Sequence, residues 1–276
     1  MKKITSLFAS LILGAGLMAQ EMPQPSPSAS ITQRVGLTDI TVDYSRPGVK
    51  GRTIFGDLVP YDELWRTGAN KATIVTVSTD IMLGGQTLKA GTYSLFTIPG
   101  EDEWMIIFNK DTELWGTTGY TQRNDALRMR VKPSAGSFVE RFRISIENIT
   151  DNSADLILAW DKVQVVIPIT VEVDKQSEAN IQKALGDASR AYRSAAEYYS
   201  KKGQHTKALE YINQSIAMNN SWYSNWVKAE ILYANGDKKE AKKQGELALK
   251  MGEEFYAERN QPFTYKDGLT KTMNEW

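Results

Sequence analysis

The chain contains no cysteine. It therefore has no disulfide framework, no thiolate nucleophile, no lipid-modified cysteine behind a leader, and no cysteine-built metal site. Histidine is nearly as scarce, since His205 is the single one in 276 residues. Any Ser-His-Asp arrangement would have to draw on it, and zinc sites built from Cys and His are excluded by count. No DxDxDG spacing for an oxygen-ligand calcium loop occurs either. The sequence thus implies no metal ligand set and no cofactor, and no catalytic residue is assigned.

An excess of charge of one sign is also missing. The 33 basic and 33 acidic side chains balance for the whole chain. Without residues 1–19, which hold Lys2 and Lys3, about −2 remains. Residues 20–174 hold 15 bases and 20 acids, and residues 175–276 hold 16 bases and 13 acids. Neither part is basic enough for a nucleic-acid surface.

Long apolar runs are confined to the N-terminus, MKKITSLFASLILGAGLMAQ. Two lysines, an apolar stretch from Ile4 to Met18 and the small residue Ala19 read as a cleaved secretory signal over 1–19. The stretch is shorter than a spanning helix. The expected destination is the periplasm or the exterior, with no membrane span after cleavage. With 41% hydrophobic and 10% aromatic residues, the chain has the composition of a globular rather than a disordered protein.

Residues 20–30 carry prolines at 23, 25 and 27, a stiff lead-in. From Ile31 the hydrophobic period becomes 2, with Ile40, Val42 and Tyr44 alternating with Thr41 and Asp43. Further strands are predicted at 72–79, 92–98, 104–108, 126–131, 137–149, 154–160 and 163–173, separated by Gly, Pro and Asn turn chemistry. Without intervening helical patterns, residues 31–174 predict an antiparallel β-sandwich, jelly-roll-like. Past Ser177 the period turns helical, and two helical hairpins align at an offset of 33. Gly203 falls on Gly236, Ala196 on Ala229, Ala208 on Ala241 and Met218 on Met251. Residues 177–254 resemble tetratricopeptide repeats, whose period is about 34 residues. That resemblance implies a face for a peptide or protein partner. The tail, 255–276, reads as a packed cap carrying Phe255, Tyr256, Phe263, Tyr265 and Trp276.

The stretch YSRPGVKGRTIFGDLVPYDELWRTGAN, residues 44–70, is the candidate site. Tyr44, Arg46, Arg52, Trp65, Arg66 and Asn70 are its candidate ligand-binding residues, because long ordered loops on a β scaffold carry function. Arginine forks suit carboxylate, sulfate or phosphate, and tryptophan offers a stacking face for a sugar. Buried arginines can equally staple a loop to backbone carbonyls, with Trp65 as a core plug, and both readings stay open. Asp57, Asp62 and Glu63 could supply an acid pair for glycoside hydrolysis, and Trp65, Trp104 and Trp115 could line a carbohydrate site. A hairpin through KPSAGS would put Arg128, Arg130, Arg141 and Arg143 on one solvent face. His205 reads as a solvated turn residue.

QPSPSA at 24–29, YSRPGVKGRTIFGDLVP, WRTGAN and AGTYSLFTIPG together resemble the family catalogued as domain of unknown function 2911, over about 23–173. The resemblance implies a secreted or periplasmic β domain and supplies no catalytic residue. The expectation is an exported, non-enzymatic binding or scaffold protein, with an anionic or sugar ligand on the loop and a protein partner on the helices. A carbohydrate-active enzyme or carbohydrate-binding module is the alternative.

Overall fold

The structure is a computed structural model that describes residues 22–276; the signal segment read at 1–19 lies outside the described residues. The chain divides into two compact units, the first ending at Glu172 and the second running Val173–Trp276.

The first unit is antiparallel throughout. One sheet takes β1 (Ser28–Val35), β2 (Thr38–Ser45), β3 (Thr73–Val77), β6 (Gly91–Ile98), β7 (Trp104–Asn109) and β8 (Asp125–Val131), in that spatial order. The other runs β5 (Gln86–Leu88), β4 (Ile81–Leu83), β10 (Ser153–Thr170), β9 (Pro133–Glu147). The expected sandwich is therefore present, and the described residues close no barrel. Its layers follow from side-chain alternation. Along β2, Thr38, Ile40, Val42 and Tyr44 are buried while Asp39 and Asp43 are exposed. Along β9, Phe142 and Ile144 turn inward and Arg141 and Arg143 outward. Phe142 and Ile144 are, like Leu95, Ile106, Phe108, Leu156, Val165 and Ile167, at most 1% exposed, and burying each such large apolar side chain contributes about 1.5–3 kcal/mol.

Two expectations about strands are corrected. The segments 154–160 and 163–173 belong to one long strand, β10, whose register shifts on either side of Asp161. Asp161 takes a left-handed φ of 53°, so a bulge bends the strand without ending it. The hairpin through KPSAGS does not form. β8 pairs with β7, whereas β9 begins at Pro133 and pairs with β10. Lys132 alone separates them, too short a connection for a hairpin, and the chain turns a corner from one sheet to the other. The four arginines consequently part company. Arg128 pairs with Asp125 and Arg130 with Glu103, while Arg141 reaches the carbonyls of Pro25 and Arg46.

The second unit contains α1 (Val173–Lys201), α2 (His205–Met218), α3 (Trp222–Ala234), α4 (Lys238–Ala257) and α5 (Lys266–Asn274). Small residues let the helices approach. Ala196, Ala208, Ala229 and Ala241 are all 0% exposed, and they are two pairs of positions 33 apart. Gly203 and Gly236, also 33 apart, close the two reversals at φ 72° and 92°, a conformation that costs glycine least. Residues 255–276 continue the packing. Trp276 stacks between Trp226 (5.4 Å) and Tyr233 (5.2 Å). Gly252 of α4 lies so close to the Phe263 ring that a Cβ there would collide with it. Among the described residues, no helix is long and apolar enough to cross a membrane.

Candidate functional site

β9 is the edge strand of the smaller sheet, and an uncovered edge presents unpaired peptide groups. The opening of the 44–70 segment covers it. The Tyr44 hydroxyl accepts from the Ile144 N–H at 3.0 Å and donates to the Ile144 carbonyl at 3.2 Å. Arg46 Nε donates to the Phe142 carbonyl at 3.0 Å. The Phe142 N–H donates to the Pro47 carbonyl (2.9 Å), and the Val49 N–H donates to the Glu140 carbonyl (2.7 Å). Peptide groups of Glu140, Phe142 and Ile144 thus all find partners in residues 44–49, although no regular strand continues beyond Ser45.

The middle of the segment enters the core. Trp65 exchanges backbone hydrogen bonds with Thr97, and its indole N–H donates to the Gly68 carbonyl at 3.0 Å. The ring stacks on Trp160 at 5.8 Å and meets Phe55, Trp104 and Phe142 edge-on. Such pairs add to the stabilisation that burial brings. The turn after Trp65 is held under strain. Thr67, β-branched and fully buried, sits at φ 54°, where such residues are outliers. Its carbonyl accepts from Thr73 Oγ1 at 2.6 Å, and its hydroxyl lies 3.2 Å from Thr97 Oγ1. Asn70, at φ 61°, donates to the Ser26 carbonyl and to Ser45 Oγ. The proline-rich lead-in is pinned by these bonds and by that from the Arg46 N–H to the Pro27 carbonyl.

The three arginines end in different circumstances. Arg46 is bound to β9. Arg52 Nε and Nη2 donate to the carbonyls of Val49 and Gly48 at 3.1 and 2.6 Å, which fixes its guanidinium at the surface. The Arg66 side chain has no hydrogen-bond or ion-pair partner among the described residues, and its Nε is buried. Burial alone pushes its pKa below the ordinary arginine value, since a desolvated cation is disfavoured.

Arg66, Arg52 and Lys50 line one cavity of about 300 Å³, together with Pro25, Ser26, Trp65, Ala69 and Trp160. Among the described residues no carboxylate is in its lining. Lys50 belongs to the same segment, and its adjacency to Gly51 and Arg52 was the available sign, but its approach to Arg66 depends on the fold. On another side, Arg66 meets the 114–116 loop. A Cβ on Gly116 would lie 3.5 Å from Arg66 Nη1. That loop is fixed by the Ala72 N–H to the Leu114 carbonyl (3.1 Å) and the Gly116 N–H to the Asn70 carbonyl (3.2 Å). Between them Trp115 is 64% exposed, whereas Trp65 and Trp104 are 8% and 3% exposed.

A family model described as "Protein of unknown function (DUF2911)" matches residues 26–169. That is 144 of the 276 residues. The chain belongs to the DUF2911 family. No curated protein and no solved structure gives a significant match. In this DUF2911 chain the matched span contains the whole 44–70 segment, Trp115 and every residue lining the cavity except Pro25, and helices α1 to α5 come after it.

The other sequence candidates lie elsewhere. Asp57, Asp62 and Glu63 are exposed. Asp62 lines a separate cavity with Glu101, Asp102, Glu103 and Arg130. No group of acids or histidine able to hold a metal occurs among the described residues. His205 opens α2 half-buried, with Nδ1 shielded from solvent; packing of that helix start makes it more than the solvated turn residue expected.

Proposed function

We propose that this is an exported, non-catalytic binding or scaffold protein whose β unit holds an anionic ligand at the Lys50–Arg52–Arg66 cavity. The observation that carries this reading is Arg66, whose half-buried guanidinium has its Nε shielded from solvent and makes no hydrogen bond or ion pair among the described residues. Burying a cation without a partner is costly, and a ligand anion offsets that cost where a structural staple would already have done so. Arg52 is held in place by two carbonyls, so an anion meets a pre-oriented fork.

The charged N-region, apolar stretch and Ala19 support export to the periplasm or exterior. The repeated alanines and glycines at an offset of 33 support reading the helices as tetratricopeptide-like. On their surface Arg193 of α1 lies over the Tyr223 ring of α3 at 4.8 Å, with Tyr223 and Tyr265 exposed. Aromatic and arginine side chains of this kind suit a protein partner. The alternative, a glycoside-cleaving enzyme, needs two carboxyl groups across one cleft, and the cavity at Arg66 has none in its lining.

The test is a thermal-shift screen of mature protein with small anions, acidic and neutral oligosaccharides, and Arg66→Ala in parallel. A ligand at a hundredfold excess over its Kd stabilises by about 2.7 kcal/mol. A midpoint rise in wild type that a folded Arg66→Ala lacks supports the reading. No rise with any anion refutes it.

A further inference from the structure

The loop that passes the Arg66 guanidinium carries an exposed indole, Trp115, with no ring partner among the described residues. Trp115 is the only tryptophan of the β unit left open to solvent, and hydrogen bonds on both sides hold its backbone. A rigid exposed tryptophan is a surface that binding proteins use: large contact area at little conformational cost. A Cβ placed on Gly116, immediately after Trp115, would lie 3.5 Å from Arg66 Nη1, so this loop's backbone passes close to the guanidinium. Arg66 thus lines the cationic cavity and neighbours the loop that carries Trp115.

We propose that Arg66 and Trp115 together bind an acidic oligosaccharide built of uronic acids, with a carboxylate at Arg66 and an adjoining ring laid on Trp115. This rests on the reading of the β unit as an anion-binding module and names its ligand class. Three features select this chemistry. The planar fork of arginine matches a planar carboxylate. The indole face takes the C–H face of a sugar ring, which a free inorganic anion does not offer. The cavity of about 300 Å³ is at the small end for ligand sites, which suits one sugar ring better than a folded partner. Lys50 and Arg52, on the cavity side of Arg66, provide the attraction that a chain of repeated carboxylates exploits.

The experiment is titration calorimetry of the full mature chain with trimers of galacturonate, mannuronate, guluronate and glucuronate. Neutral galactotriose, acetate and sulfate serve as comparators. Wild type is measured beside Trp115→Ala, Arg66→Gln and Arg66→Lys, each first checked for an unchanged circular dichroism spectrum. Trp115→Ala changes an exposed side chain, so it folds even if an Arg66 variant does not. The expected result is binding of at least one uronate trimer, no binding of galactotriose, and at least tenfold weaker affinity in Trp115→Ala and Arg66→Gln. Arg66→Lys keeps the charge but not the fork, and falls between wild type and Arg66→Gln. Acetate or sulfate binding as well as every trimer, with Trp115→Ala unchanged, overturns the sugar assignment and leaves the anion cavity standing. Equal binding of galactotriose overturns the role of Arg66. No binding by any of the seven compounds overturns this proposal and the anion-cavity reading together.

Discussion

Replacing Tyr44 with phenylalanine tests whether the 44–70 segment is the covering of a sheet edge. The substitution removes one oxygen and leaves the ring in its edge-on contact with Phe142 at 5.9 Å. That oxygen is the partner of both peptide groups of Ile144, at 3.0 and 3.2 Å. Tyr44 is 6% exposed and Ile144 1%. Two buried backbone groups lose their partner at once, and each orphaned group costs about 1–3 kcal/mol. Inward relaxation of the ring recovers part of this, so the expected loss is about 2–4 kcal/mol. Tyr93→Phe is the internal control: its hydroxyl makes a single bond, to the Lys89 carbonyl at 3.0 Å, and its loss should cost about 0.5–1.5 kcal/mol. Urea unfolding supplies the free energies. Amide exchange across 140–147 assigns the loss to β9, because the helical unit can unfold in a separate transition. If Tyr44→Phe costs no more than Tyr93→Phe and the Ile144 amide stays protected, the edge-covering argument is wrong.

Other contacts set further expectations. Arg46→Ala removes a charged donor from the Phe142 carbonyl and should destabilise by about 1.5–3 kcal/mol; Arg66→Met, which removes a partnerless half-buried cation, should leave the thermal midpoint unchanged or raise it. A clear loss of midpoint in Arg66→Met would mean that the guanidinium is held by the protein itself. Gly252→Ala should lower stability by about 1–3 kcal/mol through collision with Phe263, although alanine is favoured over glycine in a helix by about 1 kcal/mol; a gain in chemical denaturation would refute the close packing of this segment on α4. Tyr120 is pushed up to about 12, first by burial and then by donating its hydroxyl to Asp125 Oδ2 at 2.8 Å. An unfolded tyrosine titrates near 10, so the contribution of the neutral phenol is complete below about pH 10 and is lost as pH rises towards 12. Tyr120→Phe should flatten the fall in thermal midpoint across that alkaline window, and an unchanged slope would refute the coupling.

Much of the architecture was legible from local period. The alternation in 38–44 and 126–131 reports one buried face per strand. The alanines and glycines at an offset of 33 report two helical hairpins, because close helix approach and tight reversal each demand a small residue at a set position. The absences were equally informative: without cysteine and with one histidine, thiol chemistry and Cys/His metal sites could be set aside on count alone. The hairpin through KPSAGS misled because turn residues announce a change of direction but not which strand waits beyond it. β9 goes to β10 in the other sheet, a choice made by inter-sheet packing rather than by the connection.

The candidate site divides along the same line. That residues 44–70 form one dense functional or fold-defining segment could be read from the arginines, glycines and tryptophan themselves. Which arginine is a staple could not. Arg46, Arg52 and Arg66 have the same side chain within 21 positions, and their fates differ because of carbonyls contributed by Phe142, 96 residues from Arg46, and by Val49 and Gly48 for Arg52. No described residue gives the Arg66 side chain an equivalent bond. Likewise Trp65 and Trp104 are core and Trp115 is surface because two sheets close over the first two and not over the third. Composition and period are properties of neighbouring residues, so the sequence alone marked most of the strands, the helical hairpins and the chemistries that need cysteine or several histidines. Hydrogen-bond satisfaction and desolvation depend on atoms far apart in the chain, and only the tertiary structure decided which of three like residues was left without a partner.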